Sequence, residues 1–252
     1  MEELILEKQT MQEEESAIFT QSIVAPKSYD WVEDEVMTII FRVQNSEFNI
    51  CGKSMLDWVK MACVKMPVKV LDEPADENLL ETIKNNAEGK KIILVLYSNT
   101  PLLQQKTILN ILDYFCTRDM NALILPKGFV FKAEYLNQTS QIFSPARKNF
   151  APDEFKEVLT AADIAEVCEI IYQRIREFHK SSGVILKGEH TIFIDADVQI
   201  EAGVVIEPFN VIKGESVIEG KVVLKSGNYI EDSVIKSGAV LLGKNIVGGE
   251  EV

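Results

Sequence analysis

From Ile194 onward an aliphatic residue recurs every six positions: Ile194, Ile200, Ile206, Ile212, Ile218, Leu224 and Ile230. One step of five leads to Ile235, and a further six to Leu241. Four residues after each anchor stands a small or compact residue, in order Val198, Val204, Asn210, Ser216, Val222, Asn228, Val234, Ala239 and Asn245. An amphipathic helix needs a period near 3.6 and a half-buried strand a period of two. A period of six fits neither. It fits a parallel β-helix in which every face is one hexapeptide, with the anchor pointing inward and the compact residue near the corner. Stacking such turns places like residues over like and buries a continuous aliphatic column. A run of unrelated hairpins would instead need Asn-Gly-type turns between strands.

Composition limits what such a chain can bind. The 252 residues carry 26 Lys and Arg against 39 Asp and Glu, a formal net charge of −13. That excess opposes nucleic acid, which needs a basic face, and an anionic membrane surface. No run reaches the length of a spanning helix. The N-terminus, MEELILEKQTMQEEE, has no apolar core of a secretory signal. The four cysteines (Cys51, Cys63, Cys116 and Cys168) form no CxxC pair and read as reduced, mostly core thiols of a cytoplasmic protein. With only His179 and His190, a zinc site of ordinary composition is not expected. We expect His179 on the polar face of a helix and His190 in an exposed loop.

Upstream, apolar positions at three- and four-residue steps predict helix over residues 153–180, either continuous or broken near 160, where Thr160 and Asp163 resemble a capping pair. Ser181-Ser182-Gly183 ends it. Either this helix is a connector arm or it packs on its own domain. Residues 37–150 alternate strand-like and helical runs. Met37–Val43, Val68–Leu71, Ile92–Tyr97, Asn121–Leu125 and Phe129–Lys132 read as strands. Ser54–Cys63, Asp76–Asn86 and a segment beginning at Thr100-Pro101 read as helices. The fold class is therefore α/β, with an open, mostly parallel mixed sheet. Ligands of such sheets bind beyond the carboxyl ends of the strands, which makes the loop 97–102 a candidate site. The expected organisation is an acidic extension over 1–36, the α/β domain over 37–150, the helical connector over 151–183 and the hexapeptide β-helix over 184–252. Residues 1–36 are either an edge element around Ala17–Val24 behind an acidic tail or a partner-binding segment. The closing GGEEV would blunt the open edge of the last turn.

Four segments carry a resemblance to a known family. Ile92–Leu103, IILVLYSNTPLL, is similar to the V-L-x-G-D-x-P-L segment of sugar-1-phosphate nucleotidyltransferases. Cys51–Val59, CGKSMLDWV, resembles their G-K-P-M-L-x-x-V, and Phe129–Leu136, FVFKAEYL, their later strand–helix segment. Ala165–Val198 resembles the connector and first coil of the bifunctional N-acetylglucosamine-1-phosphate uridylyltransferase/glucosamine-1-phosphate acetyltransferase family. The resemblance implies a Rossmann-like nucleotidyltransferase domain, reduced in size, and a left-handed β-helix of three hexapeptides per coil, about three coils in all. It implies a homotrimer through those coils, with a nucleotide sugar or a protein as further partner. It also places nucleotide- and sugar-binding remnants at Lys53, Tyr97, Ser98 and Asn99. From the residues alone, Lys53 reads equally as a solvated helix-start lysine. Tyr97 and Asn99 read equally as a strand end and a helix cap before Pro101.

Departures from that family bear on chemistry. Its glycine-rich phosphate loop lets backbone amides approach a triphosphate beside a basic residue. Here Gln44–Ile50 (QNSEFNI) supplies neither glycine nor a cation. Asn99 occupies the position of the family's metal aspartate, and magnesium prefers carboxylates. Only Pro126-Lys127-Gly128 stands where the family inserts its sugar-binding segment. The hexapeptide region is too short to line an acyl-donor groove and lacks the matching histidine. The expectation is a homologue without catalytic residues, cofactor or metal, serving in binding, assembly or regulation. The alternatives are an active UDP-sugar pyrophosphorylase with an atypical magnesium site and, behind it, a hexapeptide acyltransferase.

Overall fold

The computed structural model describes residues 29–139 and 146–249. The acidic extension up to residue 28, including the Ala17–Val24 segment, and the closing Glu250–Val252 lie outside the described residues. The chain divides into two compact units. One comprises Ser54–Leu159 with the described residues up to Phe48; the other comprises Asn49–Lys53 and Thr160 onward.

The first unit is built on a six-stranded sheet. Its strands are β1 (Val36–Arg42), β4 (Val68–Asp72), β5 (Ile92–Tyr97), β6 (Ala122–Ile124), β7 (Phe129–Lys132) and β8 (Ala146–Arg147), in the order β4-β1-β5-β7-β6-β8; β2 (Asn49–Ile50) and β3 (Lys53–Ser54) are two-residue strands outside this sheet. β1 pairs in parallel with both β4 and β5, and β6 with β8. β7 runs antiparallel to both β5 and β6, because the short turn Pro126-Lys127-Gly128 folds β6 straight back into it. All six residues of β5 and the first six of β1 are buried, as central strands covered on both faces require. One face packs Val32 of α1 (Trp31–Glu35), Leu56 and Val59 of α2 (Met55–Met61), and Ile108, Ile111, Leu112 and Phe115 of α4 (Gln105–Thr117). The other packs Ile83 of α3 (Leu79–Asn85) and Leu136 of α5 (Ala133–Gln138). The helix expected from Thr100 begins only at Gln105. Residues Pro101–Leu103 form a buried turn instead, whose Leu102 and Leu103 enter the core and so hold the chain out of helical geometry.

The second unit opens with α6 (Ala161–Ser181). The helix expected over 153–180 is present only from Ala161; residues 156–160 are not helical. A 3₁₀ turn at Pro152–Phe155 belongs to the first unit, and a full capping box then starts α6, Thr160 accepting from the Asp163 amide and Asp163 from the Thr160 amide. His179 is not on the polar face: it is 2% exposed, on the side of α6 that also buries Val167, Ile171 and Ile175. His190 is exposed, within a 3₁₀ turn.

After α6 the described residues form eleven short strands in three parallel stacks, a β-helix-like arrangement: β9 (Ile185–Leu186), β12 (Val205–Ile206), β15 (Val223–Leu224) and β18 (Val240–Leu241) in one; β10 (Phe193–Ile194), β13 (Val211–Lys213), β16 (Tyr229–Glu231) and β19 (Ile246–Gly248) in the second; β11 (Gln199–Ile200), β14 (Val217–Ile218) and β17 (Val234–Ile235) in the third. Pairing advances by one round of the repeat, Ile194 over Ile212 over Ile230 and Ile206 over Leu224 over Leu241. Most anchors are fully buried; Ile200 is half-buried. The compact residues also stack. Asn210, Asn228 and Asn245 form a ladder in which each amide nitrogen donates to the Oδ1 of the preceding asparagine, at 2.9 and 3.1 Å. At the five-residue step the corner loses one residue. Ser233 therefore takes the buried place over Ser216, its amide donating to Ser216 Oγ at 3.3 Å. Val234, expected at that corner, moves into a strand opposite Val217.

Candidate functional site

In the first unit the strand order reverses about β1. The chain passes from β1 to β4 on one side and returns to β5 on the other, which makes the carboxyl ends of β1 and β5 the switch point where sheets of this kind take ligands. The expected residues Tyr97, Ser98 and Asn99 lie there, exposed by 6%, 0% and 2%.

Each is tied into the protein. Ser98 donates its amide to the Phe41 carbonyl at 3.0 Å, and its hydroxyl accepts from the Val43 amide at 3.0 Å. A single serine thus bridges the ends of β1 and β5. Thr100 Oγ1 donates to the Tyr97 carbonyl at 2.9 Å. The Asn99 carbonyl accepts from the Val158 amide at 2.8 Å, and its side-chain amide donates to Glu157 Oε2 at 3.3 Å. Asn99 Oδ1 is buried without a hydrogen-bond partner. Glu157 pairs with Lys127 at 2.8 Å, and the Lys127 ammonium sits 4.4 Å from the centre of the Tyr97 ring. Nearby, Glu154 accepts from both the backbone and side-chain amides of Gln104 at 3.1 Å. The segment Glu154–Val158 is therefore sewn along the loop that follows β5.

The electrostatics follow from this packing. Burial, and then the carboxylates of Glu73, Asp76 and Glu157, push the Tyr97 hydroxyl up to about 12. Of these groups Lys127 meets Glu157 and the Tyr97 ring directly. Its place is fixed by Gly128, which has φ +126° and whose added Cβ would lie 2.3 Å from the Val95 carbonyl oxygen. Such a position excludes any L side chain.

Lys53 is placed elsewhere. It belongs to the second unit, where it pairs with Asp197. Its neighbours dock the same segment: the Cys51 carbonyl accepts from the Ala196 amide at 3.0 Å, and Gly52 passes so close to Asp195 that an added Cβ would stand 3.0 Å from the Asp195 Cβ. Within this segment Gly52 thus meets protein. Lys127 and Glu157 were not among the residues anticipated from sequence. A lysine beside a glycine in a tight β-turn was a usable signal for Lys127; Glu157 carried none.

The donor set at the β5 end does not fit magnesium. Asn99 offers a neutral oxygen, and Glu157 Oε2 is already engaged by Lys127 and the Asn99 amide. No group of three His, Cys, Asp or Glu side chains among the described residues is arranged to hold a metal ion. A cleft of about 670 Å³ lies at the other end of β5 among Ile92, Lys91, Lys132 and Glu134. Its Lys91 and Lys132 pair with Glu35 and Asp119. No described helix is long and apolar enough to cross a membrane.

No protein-family model matches the sequence. One curated relative, the bifunctional protein GlmU of Clostridium novyi (strain NT), is 41% identical over 87 residues, which are 34% of this chain. The chain spans only 19% of that protein's length in the match. The relationship to GlmU is thus partial.

Proposed function

We propose that this chain is a non-catalytic relative of sugar-1-phosphate uridylyltransferases that acts as an assembly or regulatory protein. On this reading its first unit is a reduced nucleotidyltransferase domain and its stacked strands are a left-handed β-helix. The partial match to GlmU supports the lineage. One observation carries the loss of catalysis: the crevice between β1 and β5 is closed by the protein's own groups. Ser98 bridges the strands, while Glu157 and Lys127 occupy the polar partners of Asn99 and Tyr97.

Uridylyl transfer works almost wholly by positioning and by neutralising phosphate charge. Losing one such electrostatic contact typically costs ~10²–10³ in rate. In this chain the glycine loop, its cation and the metal carboxylate are all replaced, and Glu73, Asp76 and Glu157 set negative charge around Tyr97. The cysteines, none of them in a disulfide, fit a cytoplasmic location.

The test is to incubate the full chain with UTP, N-acetylglucosamine-1-phosphate and magnesium, following pyrophosphate release and thermal shift. We expect no release. Turnover that disappears in Asn99→Ala or Tyr97→Phe would overturn the proposal and restore an active enzyme. A thermal shift with UDP-N-acetylglucosamine but no turnover would assign the regulatory role to ligand sensing.

A further inference from the structure

The four cysteines differ in what they touch. Cys63 is buried, and its thiol donates to the Val59 carbonyl at 3.3 Å. Cys116 is exposed on α4. Cys51 and Cys168 instead meet each other within the second unit. The Cys51 thiol donates to the Cys168 carbonyl at 3.6 Å, and the two thiols hydrogen-bond to one another. They stand 117 positions apart in sequence. α6 presents Cys168, and the turn between β2 and β3 presents Cys51. That turn holds its thiol firmly in place. Cys51 has φ +51°, a left-handed backbone that a non-glycine residue adopts only at a steric cost. The Gly52 amide donates to Asn49 Oδ1 at 3.1 Å, and the Cys51 carbonyl accepts from the Ala196 amide at 3.0 Å. Cys51 is buried while Cys168 is half-buried, so Cys168 is the member of the pair that reaches solvent.

The surroundings set the order of any chemistry at this pair. Burial, and then the Cys168 thiol beside it, pushes the Cys51 thiol up. Burial pushes the Cys168 thiol up as well, against the hydrogen bond from Cys51. The Tyr172 hydroxyl, 3.5 Å from Asp195 Oδ1, also hydrogen-bonds Cys51 and is the neighbour that eases its ionisation. Both thiols therefore stay protonated at neutral pH, and an oxidant from solution meets Cys168 first.

We propose that Cys51 and Cys168 are a modification site that forms a reversible disulfide, with a low-molecular-weight disulfide as the oxidant. The Cys168 thiolate attacks one sulfur of that molecule, its S–S bond breaks, and the first small thiol leaves with the proton that Cys168 gave up. The Cys51 thiolate then attacks Cys168 Sγ and breaks the mixed disulfide. The second small thiol leaves and takes the Cys51 proton. Two protein thiols are oxidised, and one small disulfide is reduced to two thiols. The new bond closes a covalent ring that contains all of Ser54–Leu159, most of the first unit. A cross-link over so long a loop restricts the unfolded chain, so the oxidised protein is the more stable form. None of the residues at the carboxyl end of β5 takes part.

The test holds the full reduced chain in oxidised glutathione, alkylates the remaining thiols and reads the peptides by mass spectrometry without reduction. The expected product is a Cys51–Cys168 peptide pair that dithiothreitol separates, with Cys63 alkylated and Cys116 carrying at most a glutathione adduct. The urea midpoint of the oxidised parent should lie above that of the reduced parent. In Cys51→Ser the reaction should stop at a glutathione adduct on Cys168. In Cys168→Ser, Cys51 should react no faster than the buried Cys63. The parent chain decides on its own if either variant fails to fold. Recovery of Cys51 and Cys168 as free thiols, or a glutathione adduct that persists on Cys168 of the parent, would overturn the proposal. So would a disulfide found only between an isotope-labelled copy and an unlabelled one.

Discussion

A histidine buried without a partner makes folding sensitive to protons. His179 is 2% exposed and its Nδ1 has no hydrogen-bond partner, so burial depresses its imidazole from 6.5 to about 4. The folded state holds it neutral, while the unfolded chain protonates it near its ordinary value. The unfolded state thus binds more protons as pH falls from 6.5 toward 4, and stability falls with it. About 2.5 units at ~1.4 kcal/mol each set the scale at roughly 3 kcal/mol. Urea denaturation of the protein at pH 7 and pH 4.5 should show that loss, and His179→Phe should remove most of the difference; an equal loss in the variant would refute the assignment. Gly128 makes a second prediction at this scale. Gly128→Ala would force a Cβ against the Val95 carbonyl at a φ that L residues avoid. We expect at least ~2 kcal/mol of destabilisation, read as a lower urea midpoint. Neither residue announced itself in sequence. His179 sits where the helical stripe turns toward the polar side, and only tertiary packing decides which boundary residues are covered. The direct contacts of Asn99 explain a similar miss. Asn-Thr-Pro has the chemistry of a helix cap, but two leucines behind it prefer the core, so the turn is buried and the helix starts only at Gln105.

At the scale of elements, legibility tracks how much one local rule decides. The six-residue period specifies the stacked strands almost alone, because each anchor has the same inward place in every turn. β1 and β5 were equally plain as uninterrupted apolar runs. The one exception in the stack is instructive. A five-residue step can delete a residue from a strand or from a corner, and spacing alone does not say which. The structure removes it from the corner after Glu231, which keeps Ser233 over Ser216 and preserves the strand pairing of Val234 with Val217. The asparagine ladder next to it is where the element's stability can be tested. Asn228 donates to Asn210 Oδ1 at 2.9 Å and to the Lys225 carbonyl at 2.6 Å, and accepts from Asn245 at 3.1 Å. Asn228→Ala removes these together and leaves a buried amide partner unmatched, for an expected cost of about 2 kcal/mol. Asn245→Ala, at the open end of the ladder, should cost less than half of that. Equal effects in thermal denaturation would argue against a ladder that gains from its neighbours. The closure of the β1–β5 crevice was not legible by any such rule. It depends on Glu157, which is more than fifty residues from Asn99 in sequence and has no motif around it.

For the whole molecule, the remaining question is what the stacked strands are for. Their outward positions carry large apolar side chains, with Phe209 67% exposed and Ile185, Val240, Leu242 and Ile246 each more than half exposed. Scattered apolar exposure is ordinary, but Phe209 is more than that. Its backbone has φ +63°, a left-handed conformation that costs a non-glycine residue roughly 1–2 kcal/mol. Within its own chain the side chain gains little in return. A bulky ring held in a strained turn and left in water makes physical sense if another surface covers it, where an aromatic anchor recovers the strain through desolvation. This is the residue on which the proposed homotrimer through the β-helix can be judged. Sedimentation equilibrium of the purified chain should give three times the monomer mass, and Phe209→Glu should shift it to monomer with the far-ultraviolet spectrum unchanged. Phe209→Gly should relax the backbone strain while weakening association, so the isolated monomer gains thermal stability as the assembly loses it. A parent protein that sediments as a monomer, or a Phe209→Glu variant that assembles as well as the parent, would remove the strained ring from any interface and the stacked strands from any role in assembly.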